Sequence, residues 1–377
     1  MLRRLLLVAL GTSACSSVDV DLLGQRASPC DLGDEVGTWQ AITPPEIQYG
    51  ADPGVTSIVM DPYDASVLYA GTNHQGVWRT ADCGATWTRT NTGINGPILE
   101  GGSVWKLALD RVAPDTLYTD PRYTGNGLWW STNAGVHWEM ILPNEVGAMV
   151  TEAGYADVAW ISVDPGAPHH VIATSIQPWI GTDGASGVYE GRYDEGAQTW
   201  RWTIHPPAPG MGTSQVITML DARTWILSSP WVPSGEGTWR TIDAGASFQK
   251  VDDAEGSVPG TQLYESPTGT LFLTSQSGLL RSTDRGASWT DVFVGLSIGG
   301  TQAVTGDGDQ LLVSTNVPDT SPRNRLYAAP ENPGDRAFAP FRDLQTTFNA
   351  DGFVRDTLRD VIYTHDDFTG VYRMRLR

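Results

Sequence analysis

A chain of 377 residues with 42 Gly, 24 Pro and 15 Trp has the profile of many short strands joined by tight turns and plugged by large aromatics; no stretch reads as a long amphipathic helix. Its formal charge of −19 argues against nucleic acid and anionic membrane surfaces as partners. All-β repeat folds spend this much chain on a single domain, so one folded unit is expected.

At the N-terminus Arg3 and Arg4 precede the apolar run Leu5 to Leu10, and Gly11-Thr12-Ser13-Ala14-Cys15 follows, so residues 1–15 read as a short secretory signal. The small residues before Cys15 resemble a bacterial lipobox, whose cysteine becomes lipidated, with Thr12 standing where that motif usually has Leu. The mature chain is expected to be exported, either anchored at the bacterial cell envelope through Cys15 or released as an extracellular protein. A polar linker occupies 16–36. Cys30 and Cys83 are an even pair in an oxidising compartment, so a disulfide is expected, with two free buried thiols as the alternative.

From residue 37 onward one unit recurs. A buried second strand appears seven times, at Val67 to Thr72, Thr116 to Asp120, Val171 to Thr174, Trp225 to Ser228, Leu271 to Thr274, Leu311 to Thr315 and Val361 to Thr364. Each has an inner strand before it, such as Ile58 to Met60, and a third strand after it, such as Gly76 to Arg79. Outer strands follow only six times, and the seventh unit runs out of chain at Arg377. Gly37 to Thr43 has the outer-strand pattern and no sheet of its own. The expected fold is therefore all-β, a seven-bladed β-propeller over 37–377, closed by pairing strand 37–43 with the last blade. That closure brings the residues just before Thr38 beside the first blade's turn, where Cys83 lies.

The turns between third and outer strands share the spacing Thr/Ser-x-Asp-x-Gly-x-x-Trp. It is carried by Thr80, Asp82, Gly84 and Trp87, and by Ser131, Asn133, Gly135 and Trp138. Thr241, Asp243, Gly245 and Phe248 repeat it, as do Ser282, Asp284, Gly286 and Trp289. The hydroxyl and carboxylate suit the backbone amides of a tight turn, Gly supplies positive φ, and the aromatic plugs the core. The third blade has drifted, and the sixth has only Asn332-Pro333-Gly334-Asp335. These are recognisably Asp-box, or BNR, repeats, so the chain resembles sialidase-type propellers along its length. It has no Arg-Ile-Pro motif and seven blades, which sets it apart from sialidases. The stretch Leu68 to Arg79 is similar to the first-blade motif of xyloglucanases, whose resemblance implies a catalytic Asp after the Thr; here that residue is Asn73. Those enzymes also use two propellers with a carboxylate from each. The non-catalytic relatives are photosystem II assembly factors and sortilin-type binding propellers, which the resemblance implies hold polypeptide.

In propellers of this kind ligands use the face opposite the Asp-box turns. The loops there are longest in blades two to four: Asp120 to Asn126, Pro143 to Tyr155 and Ser175 to Ser186. They offer Arg122, Tyr123 and Trp179, with Trp231 in the fourth blade, for stacking on sugar rings or gripping a peptide. His365, Asp366 and Asp367 are placed to face Asn73, His74 and Gln75 across the channel rim, a set able to bind a metal or serve as acid and base; ordinary solvated loop residues are the alternative, and no metal or cofactor is assigned. Glycosidases need two carboxyl groups flanking the bond, for which Asp120, Asp183, Asp366 and Asp367 are the candidates. The recurring Arg79, Arg240, Arg281 and Arg373 point to scaffold. No Gly-x-Ser-x-Gly, Gly-x-x-x-x-Gly-Lys or His-Glu-x-x-His is present. The expected function is a monomeric, exported, non-catalytic propeller that binds a glycan or an envelope protein and meets the membrane only through its lipid; the alternative is a glycoside hydrolase acting on a polysaccharide.

Overall fold

The computed structural model describes residues 30–33, 35–48, 54–122, 127–143, 146, 157–182, 184–213, 216–229, 237–254, 263–292, 300–316, 324–331, 339–340 and 348–377. Residues 1–15, expected as a secretory signal ending in Cys15, lie outside them with Tyr123, Asp183 and Trp231, as do residues 332–335.

Seven four-stranded antiparallel sheets follow one another along the chain. Second strands such as Leu68–Thr72 and His170–Ser175 are buried at every position, which is why they read as continuous runs of apolar and small residues. The outer strand Thr199–His205 alternates exposed and covered positions, the signature of one solvated face. The described hydrophobic residues form seven clusters, and each joins two neighbouring blades. Stability therefore resides between sheets. A buried Tyr118, Leu117 or Val171 contributes roughly 1.5–3 kcal/mol.

Ring closure pairs the first described strand with the last blade. Trp39, Gln40 and Ala41 stand opposite Met374, Arg373 and Tyr372 of Gly370–Arg375. Backbone bonds extend this from Gly37, which donates to the Arg375 carbonyl, to Ile42, which donates to that of Val371. Cys30 and Cys83 are bridged, with Cα atoms 5.5 Å apart. The Arg373 guanidinium donates to Gln40 Oε1, the Asp31 carbonyl and the Cys83 carbonyl, so this repeated arginine is scaffold.

The four turns of common spacing share one network. In blade 5 Ser282 Oγ donates to Asp284 Oδ1 at 2.8 Å and accepts from Gly286 N at 2.8 Å, and Asp284 accepts from Ser288 N and Ser288 Oγ. The Ser288 bonds hold the Asp284 carboxyl down at about 2. Asn133 does the same work uncharged in blade 2, accepting from Ser131 Oγ and His137 N. The glycine is not alone in the left-handed region: Cys83, Ala134, Ala244 and Arg285, each just before it, have φ of 56–61°. Two successive left-handed residues make the turn, and the aspartate network compensates the non-glycine one. Gly286, at φ 82°, would place an added Cβ 2.5 Å from Ile226 Cδ1. Gly286→Ala is expected to lower stability by about 1–2 kcal/mol, read as a lower urea midpoint, with Ala287→Gly nearly neutral.

Candidate functional site

At one end of the central channel the inner strands begin and the second strands finish. Four inner strands carry a bulge there, between Val55 and Ser57, Val104 and Leu107, Val158 and Trp160, and Thr301 and Ala303. A bulge re-aims the side chains of its extra residues. In blade 2 those are Trp105 and Lys106, opposite Asp120.

Lys106 Nζ sits over the Trp160 ring of blade 3 at 3.7 Å from its centroid, and the Arg122 guanidinium lies 5.4 Å from that of Trp105. Arg122 Nε is 3.7 Å from Asp157 Oδ1. Burial pulls the Lys106 ammonium down to about 8; the Asp367 and Asp351 carboxylates of blade 7 oppose that and Arg122 reinforces it. The mouth thus brings blades 7, 2 and 3 into one electrostatic field. Asp120 is 3% exposed. Its Oδ2 accepts from Val158 N at 2.7 Å, while Oδ1 is buried without a partner. Burial first, then the Asp157 carboxylate, push it well above the usual carboxylate range.

In blade 7, Asp351 N donates to the His365 carbonyl at 3.0 Å and Asp351 Oδ2 accepts from Asp367 N at 3.3 Å. His365 Nδ1 is 3.6 Å from Asp367 Oδ1. Burial and the neighbouring Asp367 carboxylate push Asp351 up to about 7.

Several expectations need correction. Trp179 is not a solvent-facing platform: it is 5% exposed and packs on Tyr189 with ring centroids 5.3 Å apart. Its loop folds back on itself, Trp179 N donating to the Ala185 carbonyl and Thr182 Oγ1 to the Trp179 and Ala185 carbonyls, and Gly187 leaves the indole its room. Asp366 is a turn cap, accepting from the amides of Phe368, Thr369 and Asn349 with both oxygens. His74 does not pair with His365; its ring bonds to the Gly101 carbonyl at the end of the short helix Gly96–Gly101. Asn73 is 9% exposed and donates from its backbone to the Gly54 carbonyl. Asp120, Arg122, His365 and Asp367 do reach the mouth. Tyr123, Asp183 and Trp231 fall outside the described residues.

Sequence reasoning missed Trp105, Lys106, Asp157, Trp160 and Asp351. A lysine inside the otherwise apolar strand Ser103–Leu109 was the signal for the first two. Asp351 carries none, because its partners lie across a sheet register. At the opposite end a cavity of about 530 Å³ is lined by the far ends of all seven inner strands, including Met60, Leu109, Tyr264 and Arg355.

The chain is 24% identical over 277 residues to a xyloglucanase of Hypocrea jecorina, a match covering 64% of this chain and 33% of that enzyme. It spans about a third of the length of the curated relatives it matches. The GH74 xyloglucanase from Xanthomonas campestris superposes with a TM-score of 0.60 at 17% identity, over 90% of this chain and 54% of that one. YCF48 from Cyanidioschyzon merolae does so with a TM-score of 0.58 at 11% identity, over 89% of this chain and 97% of that one. These structural likenesses concern the fold. No protein-family model matches the chain.

Proposed function

We propose that this chain is an exported propeller that binds a xyloglucan-type polysaccharide at the channel mouth of blades 7, 2 and 3, without cleaving it. The observation that carries the reading is the mouth itself. Half-buried Trp105 belongs to none of the hydrophobic clusters; the Arg122 guanidinium lies against it with Asp157 behind, and Lys106, next in the chain, sits in the field of Asp367, an aromatic and hydrogen-bonding set of the kind that holds sugar rings. The likeness to xyloglucanases supplies the ligand class. Binding without cleavage follows from Asn73, an amide where the resemblance calls for the catalytic carboxylate. Secretion by residues 1–15 and a tether at Cys15 complete the proposal, which places the protein at a bacterial cell envelope.

Native affinity electrophoresis in gels containing xyloglucan tests it. The protein is expected to be retarded, and Trp105→Ala to weaken binding by about tenfold or more, while Arg201→Ala on the exposed outer strand of blade 3 changes nothing. Unretarded migration in xyloglucan and in unsubstituted β-glucan would sink the reading. Hydrolysis is the second reading, favoured by the buried Asp120 carboxyl, which burial and the Asp157 charge push well above the usual carboxylate range. Release of reducing ends that Asp120→Asn abolishes would establish it in place of the first.

A further inference from the structure

We propose that Asp351, His365 and Asp367 form a binding site for one first-row divalent transition ion, with Zn²⁺ the expected occupant. Among the described residues these are the three whose donor atoms converge, all within 4.8 Å of one another. Three donors around one ion at about 2.1 Å would stand about 3.4 Å apart, a contraction within reach of side-chain rotation.

The second observation is His365 itself. It is 7% exposed, and its Nδ1 is buried without a hydrogen-bond partner, 3.6 Å from Asp367 Oδ1 in the group that Asp351 completes. An orphaned imidazole nitrogen beside two acids is costly as it stands and is satisfied by a cation between them. The scaffold is rigid where it has to be. His365 lies opposite Gly352 in the register of Gly352–Asp356 with Val361–Asp366, which sets Asp351 one residue from that pair. A Cβ at Gly352 would come 3.1 Å from His365 Nε2, so the glycine seats the ring.

The competing counter-ion is Lys106, and Trp160 holds its ammonium. Among the described residues neither Asp351 nor Asp367 takes a Lys or Arg ion pair. Asp366 is committed to backbone amides. One imidazole with two carboxylates suits Zn²⁺ or Mn²⁺ better than Ca²⁺ or Mg²⁺, which take all-oxygen shells. Three protein donors leave coordination positions for water or a sugar hydroxyl. The site does not depend on the polysaccharide reading.

Isothermal titration of the EDTA-stripped full chain with ZnCl₂ tests it. One Zn²⁺ per chain is expected, with a Kd of about 10 μM or tighter and a higher thermal midpoint; CaCl₂ and MgCl₂ at equal concentration should give neither. The Asp351→Asn/His365→Gln double variant should lose binding, and His74→Gln, at an exposed histidine, should keep it. Absence of saturable 1:1 binding, or its persistence in the double variant, overturns the proposal. A readout on the unaltered chain guards against a variant that fails to fold: Co²⁺ should shift one histidine's imidazole proton resonances, and no shifted imidazole would likewise overturn the site.

Discussion

Glu190→Gln is expected to lower the unfolding free energy by about 3–5 kcal/mol at pH 7, and by less as the pH falls below about 4.5. Glu190 is 6% exposed on the third strand of blade 3. Its Oε1 accepts from His170 Nε2 at 2.9 Å and from Arg192 Nε at 3.0 Å, and its Oε2 from His205 Nε2 at 2.8 Å. His170 Nδ1 in turn lies 2.6 Å from Asp164 Oδ2. Burial works against the Glu190 charge, but the His170 and His205 hydrogen bonds, with Arg192, outweigh it and hold the carboxyl far below its usual range. Because the folded-state value lies below the unfolded one, the stabilisation is fully present above about pH 4.5. It is lost as the pH drops toward the folded value. The glutamine variant should therefore show a flatter stability curve on the acid side. Urea unfolding at pH 7 and pH 4 measures both parts; a loss under 1 kcal/mol, or equal losses at the two pH values, would refute the network's role.

The second large effect is at the ring's seam. Reducing the Cys30–Cys83 bridge, or replacing both residues by Ser, is expected to cost about 3–4 kcal/mol, since the bridge closes a loop of 53 residues. The bridge fixes the segment leading into Trp39–Ala41, whose three paired residues complete the last sheet. Without it that short strand is held by its ladder, by Arg373, and by the packing of Trp39 on Phe348 and the Trp87 bond to the Ile42 carbonyl, and detachment would leave Gly370–Arg375 as an open edge. Reductant should lower the thermal midpoint of the unaltered chain and leave that of the double Ser variant unchanged. Equal midpoints with and without reductant would show that the bridge adds nothing.

What the sequence determined by itself was the architecture and its turns. The spacing of the turn residues was legible because their bonds run between residues two to four apart, as from Ser282 to Asp284 and Gly286. The blade count and the closing role of 37–43 were legible because each blade repeats one pattern of buried second strand and half-solvated outer strand. Only the tertiary structure decided the site. Trp179 sits on a surface loop in the sequence, yet Tyr189 and Gly187 give it a pocket in the core. Asp366 and Asp367 are adjacent carboxylates in the sequence. A turn claims the first, and cross-strand register turns the second toward Asp351 and His365. Lys106 meets Trp160 only because blades 2 and 3 pack around a common channel. Local hydrogen bonds are written in spacing. Burial and contacts between blades depend on register and on which sheet lies next door, and no short stretch of sequence carries either.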